Sequence, residues 1–399
     1  MNKILFKTYI QDDYIVREAL TTIKDIPNLY FKFPKKFEND LTDRADPFVY
    51  AFIFLMMQEG GTFEIEGNVS KSVIDNIIMF ANVWHLWRPD DYKEIEIIAQ
   101  EIKDDYRPEN KKMITAFSGG LDAAYTTYKY KKDLDKNFKY NLDRAVMIFG
   151  ADIPITEKET FNIAFSKAKK MTDDLDVELI PVETNFRLYK SNWEHCFGVV
   201  VVATLNFFSK KYFYGAAADN SIKDFIIPWG MNPVTDRYLS SDTFHFIADG
   251  YIHSRMDRAN IIKNWKAGIE NLRVCWQNKE NLSQNCGHCE KCIRTKLNFL
   301  ATGISFFPAM PEQFNIDDII NDNLVSDNIT LSFYKDIYNY SVRNSSLSPE
   351  ILKVLKKQIC IWDKKIYKKE NSLFKKFKKK FRSFFGIKQK NKFKKVISS

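Results

Sequence analysis

Long hydrophobic runs are the first thing this chain lacks. The longest uninterrupted apolar stretch, Phe48 to Met57, falls well short of the roughly 20 residues a membrane-spanning helix needs. The start, Met1-Asn2-Lys3, has no signal-like apolar core, so cytoplasm is the expected compartment. The phosphate loop Gly-x4-Gly-Lys-Ser/Thr is also missing, which argues against kinase-like and GTPase-like chemistry. Acidic residues vanish from Asn371 to Ser399, where eleven Lys and Arg stand unopposed. Subtracting those eleven from the net charge of +9 leaves −2 on residues 1–370. The body is therefore near neutral and gives no general nucleic-acid signal. Cysteine is scarce outside one cluster. Cys196 and Cys360 are expected to be buried free thiols.

What is present centres on Phe117-Ser118-Gly119-Gly120-Leu121-Asp122. An apolar, strand-like run (Met113 to Phe117) precedes it and a helix-like run (Ala123 to Tyr130) follows. Two glycines at a strand-to-helix turn let main-chain N–H groups close around an anion, with the helix's positive end aimed at the same point. Ser118 adds a hydroxyl donor, and Asp122 suits either Mg²⁺ or orientation of the loop. An ordinary tight turn is the plainer alternative.

The second motif is C-x10-C-G-H-C-E-K-C, formed by Cys275, Cys286, Cys289 and Cys292. Thiolates at this spacing suit tetrahedral Zn²⁺, with Gly287 easing the turn and His288 outside the ligand set. Such a site supplies about 10–16 kcal/mol of apparent folding energy at neutral pH. A disulfide pair, a redox Cys-x-x-Cys and an iron–sulfur centre share these residues as alternatives.

Ser118, Gly119, Gly120 and Asp122 resemble the Ser-Gly-Gly-x-Asp-Ser/Thr signature of the PP-loop ATP pyrophosphatases, with Ala123 where that family places a hydroxyl. Thr126 and Thr127 could compensate for it. Loop and cysteine quartet together are similar to the 7-cyano-7-deazaguanine synthase family over about residues 111–305. The resemblance implies an adenine-nucleotide alpha hydrolase-like fold, ATP and Mg²⁺ at Phe117, Ser118, Gly119, Gly120, Leu121, Asp122, Phe149, Gly150 and Asp152, and a structural Zn²⁺. It implies adenylation of a carboxylate or amide with release of pyrophosphate, followed by attack of ammonia or an amine. Ser118, Asp122 and Arg258 are the expected catalytic residues.

The organisation reads as α/β. Residues 1–108 form an N-terminal α/β domain with strands near Ile4 to Tyr9, Tyr30 to Phe33 and Thr62 to Ile65 and a helix from Ser70 to Trp87. Trp84, His85 and Trp87 could line a cleft, though core is their commoner use. Residues 109–305 alternate strand and helix, which predicts a doubly wound parallel sheet. Gly198 to Phe208 fits a helix or a buried strand. Ligands in such sheets lie beyond the strands' carboxyl ends, where loop 118–122, Phe149 to Asp152 and Gly215 to Asp219 would meet. The loop-rich stretch Asp219 to Arg258 is expected to form an acceptor pocket, with Trp229, Asp236, Ser240 and Ser241 as contacts. Arg255 and Arg258 would neutralise phosphate or carboxylate, and His245 and His253 are candidate bases.

Residues 306–370 read as a helical extension and 371–399 as a basic amphipathic tail. Phe374, Phe377, Phe381, Phe384 and Phe385 recur at helical spacing among lysines, the composition of an interfacial membrane helix over 373–395. Expected partners are thus a small carboxylate or amide substrate, a membrane surface and a second copy in a homodimer. Two rival functions stand beside ligation: a PP-loop sulfurtransferase acting on tRNA, which needs a catalytic cysteine, and a non-catalytic nucleotide-binding scaffold.

Overall fold

The computed structural model describes residues 1–103, 112–134, 139–189, 191–218, 221, 227–275, 284–310 and 312–384, with side chains to 372 except that of 370. Two compact units result, Met1–Phe314 and Asn315–Ser399.

The first unit is built on one ten-stranded sheet. Its strands are β1 (Asn2–Gln11), β2 (Tyr14–Thr21), β3 (Leu29–Pro34), β4 (Gly61–Ser70), β5 (Ile95–Lys103), β6 (Lys112–Ala116), β7 (Asn141–Phe149), β8 (Glu178–Thr184), β9 (Tyr214–Ala218) and β10 (His245–Asp249). Their order is β10-β9-β6-β7-β8-β3-β2-β1-β4-β5. The five strands from β10 to β8 are mutually parallel, as the strand–helix alternation predicts. A two-residue turn with Asp12 at φ 53° closes the β1–β2 hairpin. β3 joins the halves, pairing antiparallel with β8 at Phe31↔Thr184 and Lys32↔Glu183.

Helices α1 (Asp46–Glu59), α2 (Lys71–Trp87), α3 (Leu121–Lys131), α4 (Lys158–Asp174), α5 (Trp193–Asn206), α6 (Arg255–Ile262), α7 (Lys266–Asn271) and α8 (Glu290–Ala301) cover the sheet. Strand alternation divides their packing between two faces. Ile114, Val146 and Ile180 pack with α1, α2 and α5, whereas Met113, Ala145, Met147 and Leu179 pack with α3, α4, α6 and α8. Apolar on nearly every side, the Gly198 to Phe208 stretch lies mostly within buried α5 rather than a strand.

The boundary expected at 108 lies between β5 and β6, inside one unit and one sheet. The physical cause is aromatic. Phe31 and Phe48 from the N-terminal half meet Phe207 at 4.9 and 5.2 Å, and Phe33 meets Phe208 at 5.6 Å. One core therefore serves both halves.

The second unit holds α9 (Asn328–Asn344) and α10 (Pro349–Phe384), packed through Tyr334 and Trp362, whose rings lie 5.0 Å apart. Cys360 is exposed on α10, which corrects the expectation of a buried thiol there. The membrane-facing stripe expected over 373–395 lies outside the residues whose side chains are described. Among the described residues, no helix is long and apolar enough to cross a membrane.

Candidate functional site

β6 is flanked by β7 on one side and by β9 on the other: the chain runs outward from β6 through β7 to β8, then crosses back to place β9 on the opposite side of β6. Such a switch point opens a crevice at the strands' carboxyl ends. A cleft of about 240 Å³ lies there, lined by the ends of β6 (Ala116 to Ser118), β7 (Val146 to Ile148) and β9 (Ala217, Ala218). Asp122 and Ala123 from α3, Asp152, and Trp193 and Phe197 from α5 complete much of its wall.

The glycine turn lies between cleft residues, with Phe117 and Ser118 before it and Asp122 and Ala123 after it lining the wall. Gly119 adopts φ 77°, a conformation that side chains rarely take, and Gly120 caps α3. The Gly120 N–H donates to Ser118 Oγ at 3.4 Å. Ser118 keeps its own hydroxyl hydrogen for a further acceptor. Leu121 turns into the core.

Asp122 lines the cleft with its carboxylate already engaged. Its carboxylate accepts from Arg255 at 2.5 Å and from Arg258 at 2.7 Å. Burial by itself would raise the Asp122 pKa, but the two guanidinium groups outweigh that effect and hold it at about 2. Of the two expected uses, orientation of the loop is the one this geometry fits. Arg258 is only 1% exposed, and it also donates to the carbonyls of Gly250 (3.0 Å) and His253 (3.2 Å). Gly250, at φ 98°, makes room for it, since a Cβ there would fall 2.5 Å from the guanidinium. Arg258 thus positions Asp122, and does not line the cleft.

Several expected contacts are turned elsewhere. Thr126 and Thr127 are fully buried; Thr126 donates to Asp249 (2.8 Å) and Thr127 pairs with Thr115 (3.1 Å), so neither replaces the hydroxyl missing at Ala123. Helical spacing carries them one turn away, onto the face against the sheet. Phe149 stacks on Phe161 at 4.6 Å inside the core. Gly150 is fixed by backbone packing: with φ 95°, its Cβ would lie 1.8 Å from the Thr184 carbonyl oxygen. Asp152 stands exposed at the cleft's rim. Desolvation at the rim raises its pKa from the ordinary value, opposed by the positive fields of Lys291 and Arg187.

The stretch after Asp219 is less irregular than expected, because it contains β10; residues 219–220 and 222–226 lie outside the described ones. Trp229 reaches the cleft indirectly, with its ring 5.7 Å from Phe197. Two glycines bring that loop close: the Gly230 N–H donates to the Glu194 carbonyl at 2.7 Å, and a Cβ on Gly198 would lie 2.4 Å from the Gly230 oxygen. Asp236 accepts from the Tyr251 hydroxyl, Ser240 bonds to the Phe246 main chain and Ser241 to Thr243 and Phe244. These are turn-forming bonds. His245 begins β10, the end away from the cleft, and His253 Nδ1 bonds the Tyr125 hydroxyl at 2.8 Å. Trp84 is core, packed on Phe54 at 4.8 Å, with Trp87 against it and His85 bonded to the Tyr92 carbonyl.

Two cleft residues, Trp193 and Phe197 on α5, had no motif to announce them. The Arg187 guanidinium lies 4.2 Å from the centre of the Trp193 ring. Only the apolar run of α5 hinted at them in the sequence.

The four cysteines converge. Their Sγ atoms all lie within 4.8 Å of one another, and Cys286 and Cys292 are 3.8 Å apart. A tetrahedron of 2.3 Å zinc–thiolate bonds has edges of about 3.8 Å, so the quartet fits one metal ion such as zinc. Main-chain N–H groups of Cys286 and Cys289 point at Cys275 Sγ (3.2 Å) and Cys286 Sγ (3.3 Å), an arrangement that favours thiolates. Gly287, at φ 84°, makes the turn, and His288 faces Glu312 at 3.4 Å rather than the sulfurs. Asn285, buried and unremarked in the sequence, ties the site together. Its Oδ1 accepts from the Val274 N–H (2.9 Å), while its amide donates to the Leu272 (2.9 Å) and Ala309 (2.8 Å) carbonyls. No family model, curated protein or solved structure matches this chain.

Proposed function

We propose that the protein binds ATP with its phosphates against loop 117–122, transfers AMP to a carboxylate or amide oxygen of a small molecule, and releases pyrophosphate. Ammonia or an amine then displaces AMP. The observation that carries this reading is the left-handed Gly119 turn, which opens α3 at the sheet's switch point beside a cleft whose rim carboxylate, Asp152, feels the positive fields of Lys291 and Arg187. The acceptor oxygen would bond to the α phosphorus as the bond to the β phosphate's bridging oxygen breaks, that oxygen keeping the electron pair. The protein's contribution is alignment and charge neutralisation. Ser118 and the N-terminal N–H groups of α3 would donate to phosphate oxygens, with Arg255 beside them. Asp122 and Arg258 would keep that arrangement rigid.

Mg²⁺ accompanying the nucleotide would neutralise phosphate charge. Such ions need only one or two carboxylates besides phosphate oxygens. Asp152 is the cleft carboxylate with an open side, because both Asp122 oxygens already accept from arginines. The metal of the cysteine quartet has four protein ligands and would serve structure rather than chemistry.

The sulfur-transfer rival is disfavoured at Cys196. Burial pushes its thiol up to about 12, and it does not line the cleft. Incubation with ATP, Mg²⁺, ammonium and a panel of small acids should yield AMP and pyrophosphate. ADP and orthophosphate as sole products would contradict the reading, and tight ATP binding without turnover would favour the scaffold alternative.

A further inference from the structure

The phosphate loop and the cysteine quartet meet through one main-chain contact. The Arg273 N–H donates to the Gly119 carbonyl at 2.8 Å, two residues before Cys275. That carbonyl belongs to the residue whose left-handed conformation shapes the turn. Arg273 is in turn anchored on both sides. Toward the quartet, Asn285 holds its neighbours Leu272 and Val274, and the Cys286 N–H bonds the Cys275 sulfur. On the other side, its guanidinium donates to the Thr160 carbonyl on α4 at 3.1 Å. A parallel route runs through α8, which carries Cys292 and packs on α6, the helix whose arginines grip Asp122.

We propose that Arg273 is a positioning residue through which a metal in the cysteine quartet fixes the phosphate loop, so that metal occupancy governs nucleotide affinity. The inference rests on the nucleotide reading of that loop. Without the metal, four crowded sulfurs lose their common ligand, and segment 272–275 keeps its hydrogen bonds and the core packing of Leu272 and Val274 but loses its anchor at Cys275. The partner that fixes the Gly119 carbonyl is then less firmly placed.

The test uses the full chain. Zinc-loaded protein, chelator-treated protein and Cys286→Ser are compared for metal content, affinity for a fluorescent ATP analogue, and hydrogen exchange across 117–122. Metal loss should weaken the analogue and accelerate exchange in the loop, each about tenfold, while exchange in β1 and β2 stays unchanged. Arg273→Pro, which lacks the N–H, should retain zinc yet behave the same way; Arg273→Ala, which keeps the N–H and gives up only the bond to Thr160, should shift both readouts far less. Unchanged loop exchange after metal loss would overturn the proposal, as would Arg273→Ala matching Arg273→Pro. If Arg273→Pro fails to fold, seen as faster exchange in β1 and β2, the metal-removal arm decides alone. Zinc-loaded wild type that ignores the analogue would sink the nucleotide reading, while loop exchange would still report on the coupling.

Discussion

Asp122 shows how burial and pairing compete at one carboxylate. Its folded pKa of about 2 lies below the ordinary 3.8, so the ionised group contributes stability that is present above that ordinary value and is lost as pH falls through about 2. Asp122→Asn would leave two arginines, one of them buried, without their anion. The expected cost is about 3 kcal/mol at neutral pH, shrinking below about pH 4, as read by denaturant unfolding across pH. Gly150 sets a steric limit instead. Gly150→Ala would drive a methyl into the Thr184 carbonyl in a left-handed conformation, which should destabilise the fold by about 3 kcal/mol or more. A variant within 0.5 kcal/mol of wild type, the ordinary scatter for an unremarkable site, would show that β7 and β8 can separate at that point.

Elements carry the next level, and here histidines act as seams. His195 on α5 receives or gives a 2.7 Å hydrogen bond with the Tyr92 hydroxyl, linking α5 to the segment after α2. Burial lowers the pKa of His195, with Arg88 adding to the effect, and burial likewise lowers that of His253. Both take up a proton less readily when folded than in the unfolded chain, where the ordinary value is 6.5. Stability from them is therefore present above that value and is lost as pH falls below it. Thermal midpoints should drop on acidification through about pH 6, and His195→Asn should flatten the dependence. An unchanged profile in that variant would remove His195 from the account. Element type was readable where periodicity was long, as in Thr160 to Thr172, which lies within α4. It failed for β10, five residues whose strand character comes from pairing with β9. The ambiguous Gly198 to Phe208 stretch could be settled only by its neighbours, because a segment buried on all sides has no period to read.

At the scale of the whole molecule, the shared sheet makes a sharp statement about truncation. A fragment ending at Phe314 should fold cooperatively by itself, since the division of the chain falls there. A fragment beginning at 109 should aggregate. It would expose Phe207 and Phe208, just after α5, which Phe31, Phe33 and Phe48 cover, and leave the β8 edge without β3. Size-exclusion profiles of the two fragments decide the matter, and a monodisperse 109–314 fragment would contradict the single-core description. The expected break at 108 followed a change in motif content, but cores are divided by packing. Nothing in the local sequence says that the residues before 108 continue a sheet whose other strands come after it.

The amino-acid order alone determined the local chemistry: a glycine turn between strand and helix, four thiols at metal-binding spacing, and parallel strands alternating with helices. These depend on residues near one another in the chain, where conformational preference and side-chain type are set directly. Tertiary structure decided what each group faces. It placed Asp122 between Arg255 and Arg258, hid Thr126 and Thr127, brought Trp193 and Phe197 to the cleft, and put Arg273 between the sulfurs and the turn. The ion pairs and hydrogen bonds among these join residues a dozen to over a hundred positions apart, and only the packing of the sheet and its helices brings them within reach.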